Sequence, residues 1–198
     1  EMSFVEQNDI FDVVEKLMVN TFQTFSNKKM MFKKFPKITY KDALLKYGTD
    51  KPDLRNPLII KDITEVFKRD DVSFEIFKKL VSTGSKVRCI VTPNTKNKPR
   101  SFFDNIDAWA KEQGSSGLAY FTIEKEKNIN AKGPIGKFFT QNALEEIMKI
   151  TKAEVGDSIF LSCAKQIELE RITSLARNKI AQDLNLIDEN TFAFCWIV

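Results

Sequence analysis

The sequence predicts an α+β fold whose largest part is a compact sheet-and-helix unit. The chain has 198 residues, enough for one large domain or two small ones. Its composition is 42% apolar and includes 17 Phe, which indicates a packed core rather than disorder. From Val72 onward, strand-like and helix-like apolar spacings follow one another in the order β-α-β-β-α-β-α. This order predicts one mixed sheet with helices packed on a face.

The N-terminal segment is predicted to contain two helices separated by a basic connector. In the first helix, apolar residues recur every three or four positions, and Asn8 or Asp9 can cap its start. Thr39 can cap the second helix, and Gly48 can end it. The expected segments are a helix within Ser3–Phe25, the connector Asn27–Lys37, a helix at Tyr40–Tyr47, a proline-containing loop at Thr49–Pro57, a strand at Leu58–Ile60 and, after a turn at Lys61–Asp62, the segment Ile63–Phe67.

The sheet-and-helix unit is predicted from apolar segments bounded by glycines and charged turns. Thr140 can cap a helix whose early acids, Glu145 and Glu146, complement the helix dipole. The expected elements are strands at Val72–Phe77, Lys86–Val91, Gly117–Glu124 and Ser158–Cys163, a charged turn at Glu124–Lys132, and helices at Phe102–Glu112, Asn142–Lys149 and Gln166–Leu184.

The composition excludes several kinds of active site. The chain has no histidine, which rules out a Ser-His-Asp triad, a Cys-His pair and a His-ligated zinc. Cys89, Cys163 and Cys195 are far apart in apolar runs, which indicates buried thiols in a reducing cytoplasm. No apolar run reaches the length of a membrane span. Gly133–Lys137 lacks the spacing of a phosphate-binding loop.

Three charged segments are candidates for binding. Lysines are densest in Asn27–Lys37, and Lys96, Lys98 and Arg100 form a second cluster. Each cluster is either a solvated face or a phosphate-contacting patch. The third segment is the loop Asp50–Arg55, which carries charges of both signs on a proline-stiffened backbone. A stiff loop with fixed charges suits recognition, and a structural pair of opposite charges is the alternative.

Both ends of the sequence indicate a piece of a longer protein. The chain begins Glu1-Met2-Ser3-Phe4-Val5, which does not look like a native start. It ends with the seven apolar residues Phe192–Val198, whereas native termini are usually exposed and polar. We therefore expect the neighbours of this apolar strand to lie outside the sequence.

Several motifs in a fixed order cover the whole chain. The most specific is Tyr47-Gly48-Thr49-Asp50-Lys51-Pro52-Asp53-Leu54-Arg55. The others are Glu1–Phe4, Phe35–Tyr40, Gly114–Tyr120, Gly133–Phe138, Leu184–Asp188 and Phe192–Val198. Together they resemble bacterial-type aspartyl-tRNA synthetase, a class II family. In this resemblance Glu1–Phe4 looks like the end of class II motif 2. The two glycine motifs, Gly114–Tyr120 and Gly133–Phe138, look like the GAD insertion domain, and the last two motifs resemble the return strand into the catalytic core.

The resemblance implies an enzyme that activates aspartate with ATP and Mg²⁺ and transfers it to tRNA(Asp), with tRNA(Asn) left open. The implied fold is a set of partial antiparallel class II core segments around an inserted GAD-type α/β domain. The implied domains are residues 1–71 (core segment), 72–170 (GAD-type insertion) and 171–198 (helix end and return strand). The family's catalytic arginines belong to motifs outside this sequence. We therefore expect no catalytic residue, no metal ligand, no bound cofactor and no activity in this chain alone.

The resemblance also implies site residues and partners. Glu1, Asp50, Lys51, Asp53 and Arg55 are expected to border the active site of the parent enzyme. The insertion is expected beside the tRNA acceptor arm. Its candidate phosphate contacts are Lys96, Lys98 and Arg100. The parent is expected to be a cytoplasmic homodimer without a membrane contact.

One stretch departs from the family pattern, and one alternative function stays open. The family has a glycine-rich stretch where this sequence reads Val91-Thr92-Pro93-Asn94-Thr95-Lys96, so any role of those glycines is not carried over. The GAD domain also occurs in a tRNA-dependent amidotransferase. The alternative is therefore a non-catalytic module that binds RNA or protein. The motif 2 tail and the loop Asp50–Arg55 favour the synthetase.

Overall fold

The computed structural model describes residues 2–198, which form an α+β architecture of six α-helices, two 3₁₀-helices and nine strands. The α-helices are α1 (Gln7–Phe25), α2 (Tyr40–Tyr47), α3 (Glu75–Ser82), α4 (Arg100–Glu112), α5 (Gln141–Thr151) and α6 (Gln166–Asp183). The strands are β1 (Lys29–Met30), β2 (Lys37–Ile38), β3 (Ile60–Asp62), β4 (Lys86–Thr92), β5 (Ala119–Lys125), β6 (Ile129–Lys132), β7 (Ser158–Ala164), β8 (Thr191–Phe192) and β9 (Trp196–Ile197). The 3₁₀-helices are Thr64–Lys68 and Gly136–Phe138.

Five strands form the central sheet in the order β3-β4-β7-β5-β6. Every neighbouring pair in it is antiparallel, so the predicted mixed sheet is wrong. A mixed sheet needs at least one parallel pair, and a helical connection such as α4 between β4 and β5 is typical of parallel neighbours. Instead, β7 lies between these two strands and pairs with both of them.

Helices cover both faces of the central sheet, and not one face as predicted. The side chains of β7 show how the two cores are separated. Ile159 and Leu161 belong to the core beneath α5, and Phe160 belongs to the core beneath α4 and α6. Successive side chains of a strand point to opposite faces, so a strand buried on both sides needs a continuous apolar run. The apolar residues of β7 accordingly contribute to both cores, and helices pack on both faces of the sheet.

The segment Val72–Phe77, predicted as a strand, is the approach to a helix. Val72 makes only an isolated bridge to Phe139, and α3 begins at Glu75. The rings of Phe74 and Phe77 lie 4.7 Å apart and pack on the core, while Ile76 is 65% exposed. The buried residues are therefore three positions apart, which is a helical spacing that a short apolar run does not distinguish from a strand.

Two further boundaries also differ from the prediction. The expected charged turn Glu124–Lys132 contains the edge strand β6, which pairs with β5. Its lysine and polar side chains alternate with half-buried Ile129 and Ala131, as suits an edge strand that faces water. The strand expected at Leu58–Ile60 is displaced to β3 and includes the two residues predicted as a turn.

The helix ends follow local chemistry. The hydroxyl of Thr39 accepts a hydrogen bond from the Asp42 amide, and Gly48 ends α2 with a left-handed φ of 70°, both as predicted. Thr140 caps α5 in the same way. For α1 the prediction is wrong, because the cap is Glu6, whose amide donates to Oδ2 of Asp9 at 2.8 Å.

The two ends of the chain pack against each other. β1 pairs with β8 and β2 with β9, both in parallel, so the predicted return strand Phe192–Val198 is two short strands. The Trp196 indole donates to Oε1 of Glu15 at 3.0 Å and stacks on Phe11 with 4.3 Å between ring centroids. These contacts attach α1 to the C-terminal segment.

The predicted α+β class is confirmed. The antiparallel class II core segments are not, since the strands of residues 2–198 outside the central sheet pair in parallel. The domain limits 1–71, 72–170 and 171–198 stay a prediction. β3 precedes residue 72 although it pairs with β4, and α6 extends from one expected domain into the next. Within residues 2–198, no helix combines the length and the apolar character needed to cross a membrane.

Candidate nucleic-acid interface

The three residues expected to contact tRNA lie together on one cavity of about 460 Å³. Lys96 and Lys98 come from the loop after β4, and Arg100 is the first residue of α4. Lys132, at the end of β6, lies on the same cavity beside Glu124. The volume is within the range of about 300–1,000 Å³ that small-ligand sites occupy. The fold therefore gathers four cations around one concave surface.

Two of these cations are not neutralised by a neighbouring acid. Arg100 pairs with Asp104 at 3.2 Å, and Lys132 pairs with Glu124 at 3.6 Å. Within residues 2–198, Lys96 and Lys98 have no carboxylate within 4.0 Å, and the Lys98 ammonium lies 5.7 Å from the centroid of the Phe102 ring. Unpaired ammonium groups retain their full attraction for an anionic partner.

Aromatic rings form the floor of the cavity. Phe103 and Tyr120 both line it, and their rings are nearly parallel, 13° apart, with 4.5 Å between centroids. Tyr120 is only 9% exposed, and burial raises the pKa of its hydroxyl. The cavity thus combines a cationic rim with an apolar floor, the combination that single-stranded nucleic-acid sites use.

Hydrogen bonds fix the loop that carries Lys96 and Lys98. The Thr92 hydroxyl donates to the Ser158 carbonyl at 2.9 Å, and the Thr95 hydroxyl donates to the Thr92 carbonyl at 2.9 Å. The Lys96 amide donates to the Gly156 carbonyl at 3.0 Å. The glycine-poor sequence of this loop is therefore stabilised by buried threonines, which hold it against β7.

The motif Gly133–Lys137 has a structural role beside the cavity. A Cβ atom on Gly136 would lie 2.2 Å from the backbone carbonyl oxygen of Ala131, so this position allows only a hydrogen. Gly133 lines the cavity with a φ of 135°, a conformation that favours glycine. The glycines thus let the chain turn tightly against β6.

The other lysine cluster, Asn27–Lys37, contacts the ends of the chain. The Lys37 ammonium donates to Oδ1 of Asn8 at 2.6 Å and lies 4.6 Å from the centroid of the Phe11 ring. Lys28 lies 5.7 Å from the ring centroid of Phe192. These lysines cover aromatic rings of α1 and β8, as long amphipathic side chains commonly do.

The charged loop Asp50–Arg55 is a second candidate site, and its charges pair with each other. Arg55 donates two hydrogen bonds to Asp53, from Nε to Oδ1 at 2.9 Å and from Nη2 to Oδ2 at 2.7 Å. Lys51 contacts Asp50 at 3.2 Å and is 85% exposed. The arrangement matches the structural charge pair considered as the alternative, and it leaves the Asp50–Lys51 end of the loop open to water.

Two residues that the sequence did not single out hold this loop on α6. Arg177 is 1% exposed, and its guanidinium donates to the carbonyls of Leu58 at 2.6 Å, Asn56 at 2.6 Å and Asp53 at 2.9 Å. The Asn56 amide donates to the Arg177 carbonyl at 3.1 Å. Arg177 is three residues before Ile180, on the apolar side of α6. A charged residue on the apolar side of a helix is the sequence signal by which Arg177 could have been found.

Backbone carbonyls and the Tyr47 ring stabilise the positive charge of the buried Arg177 guanidinium. Burial lowers its pKa to about 10, so the group stays charged at neutral pH. The Tyr47 ring lies 5.0 Å from its central carbon, and loop carbonyls satisfy its donors. Tyr47 and Asp53 belong to the most specific motif of the sequence, so this clamp is a structural reason for that motif.

The Asp53–Arg55 pair predicts a pH dependence of stability. Hydrogen bonds from Arg55 hold the pKa of Asp53 below its usual value of about 3.9. A lowered pKa in the folded state adds stability above about pH 4, and this stability is lost as the pH falls through the folded-state pKa. In urea unfolding at several pH values, Asp53→Asn should be less stable than the parent at pH 7, and this difference in stability should shrink as the pH falls below about 4.

Asp50→Asn on the same loop is the control for that series. Its carboxylate is 44% exposed and contacts only the flexible Lys51 within residues 2–198, so stability should change little. A difference between the parent and Asp53→Asn that persists unchanged at the acid end would contradict the assignment of the pair.

The remaining candidate residues form no further site. Cys89 and Cys163 are buried, which raises their pKa values, to about 11 for Cys163. Cys195 is half-buried and its pKa is raised for the same reason. Among residues 2–198, no three His, Cys, Asp or Glu side chains are placed to hold a metal ion. Glu1, expected at the active-site border, lies outside the described residues.

Comparison with known proteins identifies the domain that carries the cavity. The GAD domain family matches residues 77–173, which include all of β4, α4, β5, β6 and β7. The chain is 74% identical over 198 residues to the aspartate–tRNA(Asp/Asn) ligase of Pelagibacter ubique (strain HTCC1062). It is 48% identical over 199 residues to the ligase of the same name from Wolbachia sp. subsp. Drosophila simulans (strain wRi). It is 43% identical over 199 residues to that of Methylorubrum populi (strain ATCC BAA-705 / NCIMB 13946 / BJ001).

The chain is similar to aspartate–tRNA ligases along its whole length, and its residues 77–173 match the GAD domain family. The predicted resemblance is thereby confirmed. These matches cover 100% of the chain, including the loop Asp50–Arg55 and the terminal segments outside the GAD domain. The chain spans about a third of the length of these relatives, 33%, 32% and 33% respectively.

Proposed function

We propose that this chain acts as part of an aspartate–tRNA ligase, which activates aspartate with ATP and transfers it to tRNA. The observation that carries this proposal is the extent of the match. An isolated GAD domain would match only within residues 77–173, whereas the ligase relatives match along the whole chain. The extent of the match favours a ligase over the alternative of a non-catalytic interaction module. The relatives are named for both tRNA(Asp) and tRNA(Asn), and we propose the same two partners here.

We propose that the GAD domain lies beside the tRNA acceptor arm and contacts its phosphates. Lys96, Lys98 and Arg100 carry this contact. Their shared position on one cavity and the unpaired ammonium groups of the two lysines support it. Ammonium groups that contact phosphates release counterions, so binding should weaken steeply with salt.

We propose further that residues 1–71 and 171–198 belong to the catalytic core, and that Glu1, Asp50, Lys51, Asp53 and Arg55 border the active site. Support for the loop is its rigid attachment to α6 through Arg177, with Lys51 exposed at its tip. We propose that ATP and Mg²⁺ act in the reaction of the whole enzyme, and that this enzyme is a cytoplasmic homodimer.

A segment exchange tests the proposal. In the Pelagibacter ubique ligase, the aligned 198 residues are replaced by this chain, and aspartylation of tRNA(Asp) is measured. We expect an active chimera. Lys96→Ala together with Lys98→Ala should raise KM for tRNA and reduce the salt slope of tRNA binding by roughly one per lost contact. ATP–pyrophosphate exchange should be unchanged in that variant.

Lys137→Ala provides a matched control in the same chimera. Like Lys98, Lys137 is exposed and lies over a phenylalanine ring, at 5.2 Å from the Phe138 centroid, but it does not line the cavity. This control should leave KM for tRNA unchanged. A folded chimera without aspartylation would refute the assignment to the ligase. An unchanged salt slope in the double variant would refute the phosphate contact.

A further inference from the structure

The cavity of the GAD domain contains a polar group that the protein itself does not use. The Tyr120 side chain is 91% buried, as its 9% exposure shows, and it lines the cavity. Its hydroxyl forms no hydrogen bond with any of residues 2–198 and is not among their fully buried unpaired atoms, which are Nε of Arg88 and Oγ of Ser162, so the oxygen opens onto the cavity. A hydroxyl that opens onto a cavity and has no protein partner is available to hydrogen-bond to a ligand there.

We propose that this cavity binds one unpaired nucleotide of an RNA chain. The phosphate of the nucleotide contacts Lys96 and Lys98, its base enters the cavity over the aromatic floor, and the Tyr120 hydroxyl hydrogen-bonds to a polar group of the base or ribose. The inference rests on the proposed contact between this domain and tRNA, and it names the part of the RNA that the site recognises.

The shape of the site favours an unpaired nucleotide over a duplex. Phosphates on the outside of a double helix can be contacted by lysines on a flat or convex surface and need no cavity. Here the lysines stand at the rim of a cavity of about 460 Å³ whose floor is Phe103 and Tyr120. Proteins that recognise RNA by sequence or end commonly take splayed-out bases onto such aromatic surfaces.

The cavity is built to hold its shape without a ligand. Buried threonines fix the loop of Lys96 and Lys98, and Gly136 allows the chain to pack directly on the Ala131 carbonyl. A site whose walls are already ordered loses little conformational entropy on binding. A deformable surface patch of lysines would lack this property.

Equilibrium binding of labelled RNA to the 198-residue chain tests the inference at low salt. The probes are a fluorescein-labelled single-stranded tetranucleotide and a blunt RNA duplex, with 5′-AMP as an unlabelled competitor. We expect the dissociation constant of the single strand to be roughly tenfold lower than that of a duplex with the same number of phosphates. The reason is that stacking of a base adds to the phosphate contact. Tyr120→Phe, which removes only the hydroxyl, should weaken single-strand binding about fivefold and leave duplex binding unchanged.

The remaining variants separate this inference from the proposed function. Lys98→Ala should weaken both probes, and Lys137→Ala should affect neither. Loss of binding in Lys98→Ala with equal affinities for single strand and duplex, or with no effect of Tyr120→Phe, would overturn the nucleotide pocket and keep the phosphate contact. No binding of either RNA at low salt would overturn both. Thermal unfolding confirms that each variant folds.

The competitor identifies the source of the nucleotide. If 5′-AMP displaces the tetranucleotide only at concentrations far above the dissociation constant of the tetranucleotide, the ligand is a nucleotide within RNA, as proposed. If 5′-AMP binds as tightly as the tetranucleotide, the RNA chain adds nothing, and the assignment to RNA is overturned in favour of a free mononucleotide.

Discussion

Arg177→Ala is expected to lower the free energy of unfolding by about 3–5 kcal/mol, the largest effect of any single change at the charged loop. The substitution removes a fully buried guanidinium and leaves the carbonyls of Asp53, Asn56 and Leu58 without their donor. Each unsatisfied buried carbonyl costs free energy, and the space of the side chain becomes a cavity. Urea unfolding followed by circular dichroism measures the loss.

Arg171→Ala is the matched control on the same helix. Arg171 donates one hydrogen bond to the Gln113 carbonyl at 3.0 Å, but that contact is exposed to water. We expect its removal to cost under about 1 kcal/mol, since water replaces an exposed partner. Equal effects of the two substitutions would show that the charged loop does not depend on the clamp from α6.

Gly48→Ala is expected to destabilise the chain by about 2–4 kcal/mol, for two separable reasons. Gly48 has a φ of 70°, which an alanine adopts only with strain. In addition, a Cβ atom would lie 2.5 Å from the Glu170 carbonyl oxygen and 2.9 Å from Cβ of Ser174. Since both atoms belong to α6, the end of α2 would have to move away from that helix.

Gly84→Ala separates the two causes. Gly84 follows α3 with a φ of 87°, but the nearest atom to its Cβ would be the flexible end of Lys165 at 3.5 Å. This control should show only the conformational strain, about 1 kcal/mol. If unfolding in urea gives the same loss for both glycines, the close approach of α2 and α6 contributes nothing, and the packing argument fails.

The elements with strong local signals could be predicted from the sequence. Thr39, Gly48 and Thr140 act on their own helix ends, and the predicted start and stop of these helices are confirmed within one or two residues. The strands β4 and β7 are seven residues long and contain the apolar runs Cys89–Val91 and Ile159–Leu161, which indicate buried strands. Segments whose apolar residues allow two periodicities, such as Val72–Phe77, were assigned wrongly.

The candidate site shows the same division. Lys96, Lys98 and Arg100 are adjacent in sequence, so their clustering was visible before the fold was known. Tyr120 and Lys132 join them only because β5 and β6 pair as a hairpin at the sheet edge. Lys132 was assigned to a charged turn, because an edge strand with a solvated face carries the same residue types as a turn.

The sequence by itself determined the α+β class, the caps of α2 and α5, the exclusion of histidine chemistry and the resemblance to the ligase family. These follow from composition and from contacts between residues close in the chain. The tertiary structure alone decided that the sheet is antiparallel and buried on both faces, that α6 clamps the charged loop through Arg177, and that a cavity with an aromatic floor lies between the cations. Each of these depends on residues far apart in sequence, such as Asp53 and Arg177, whose approach is set by how the whole chain packs and not by any local pattern.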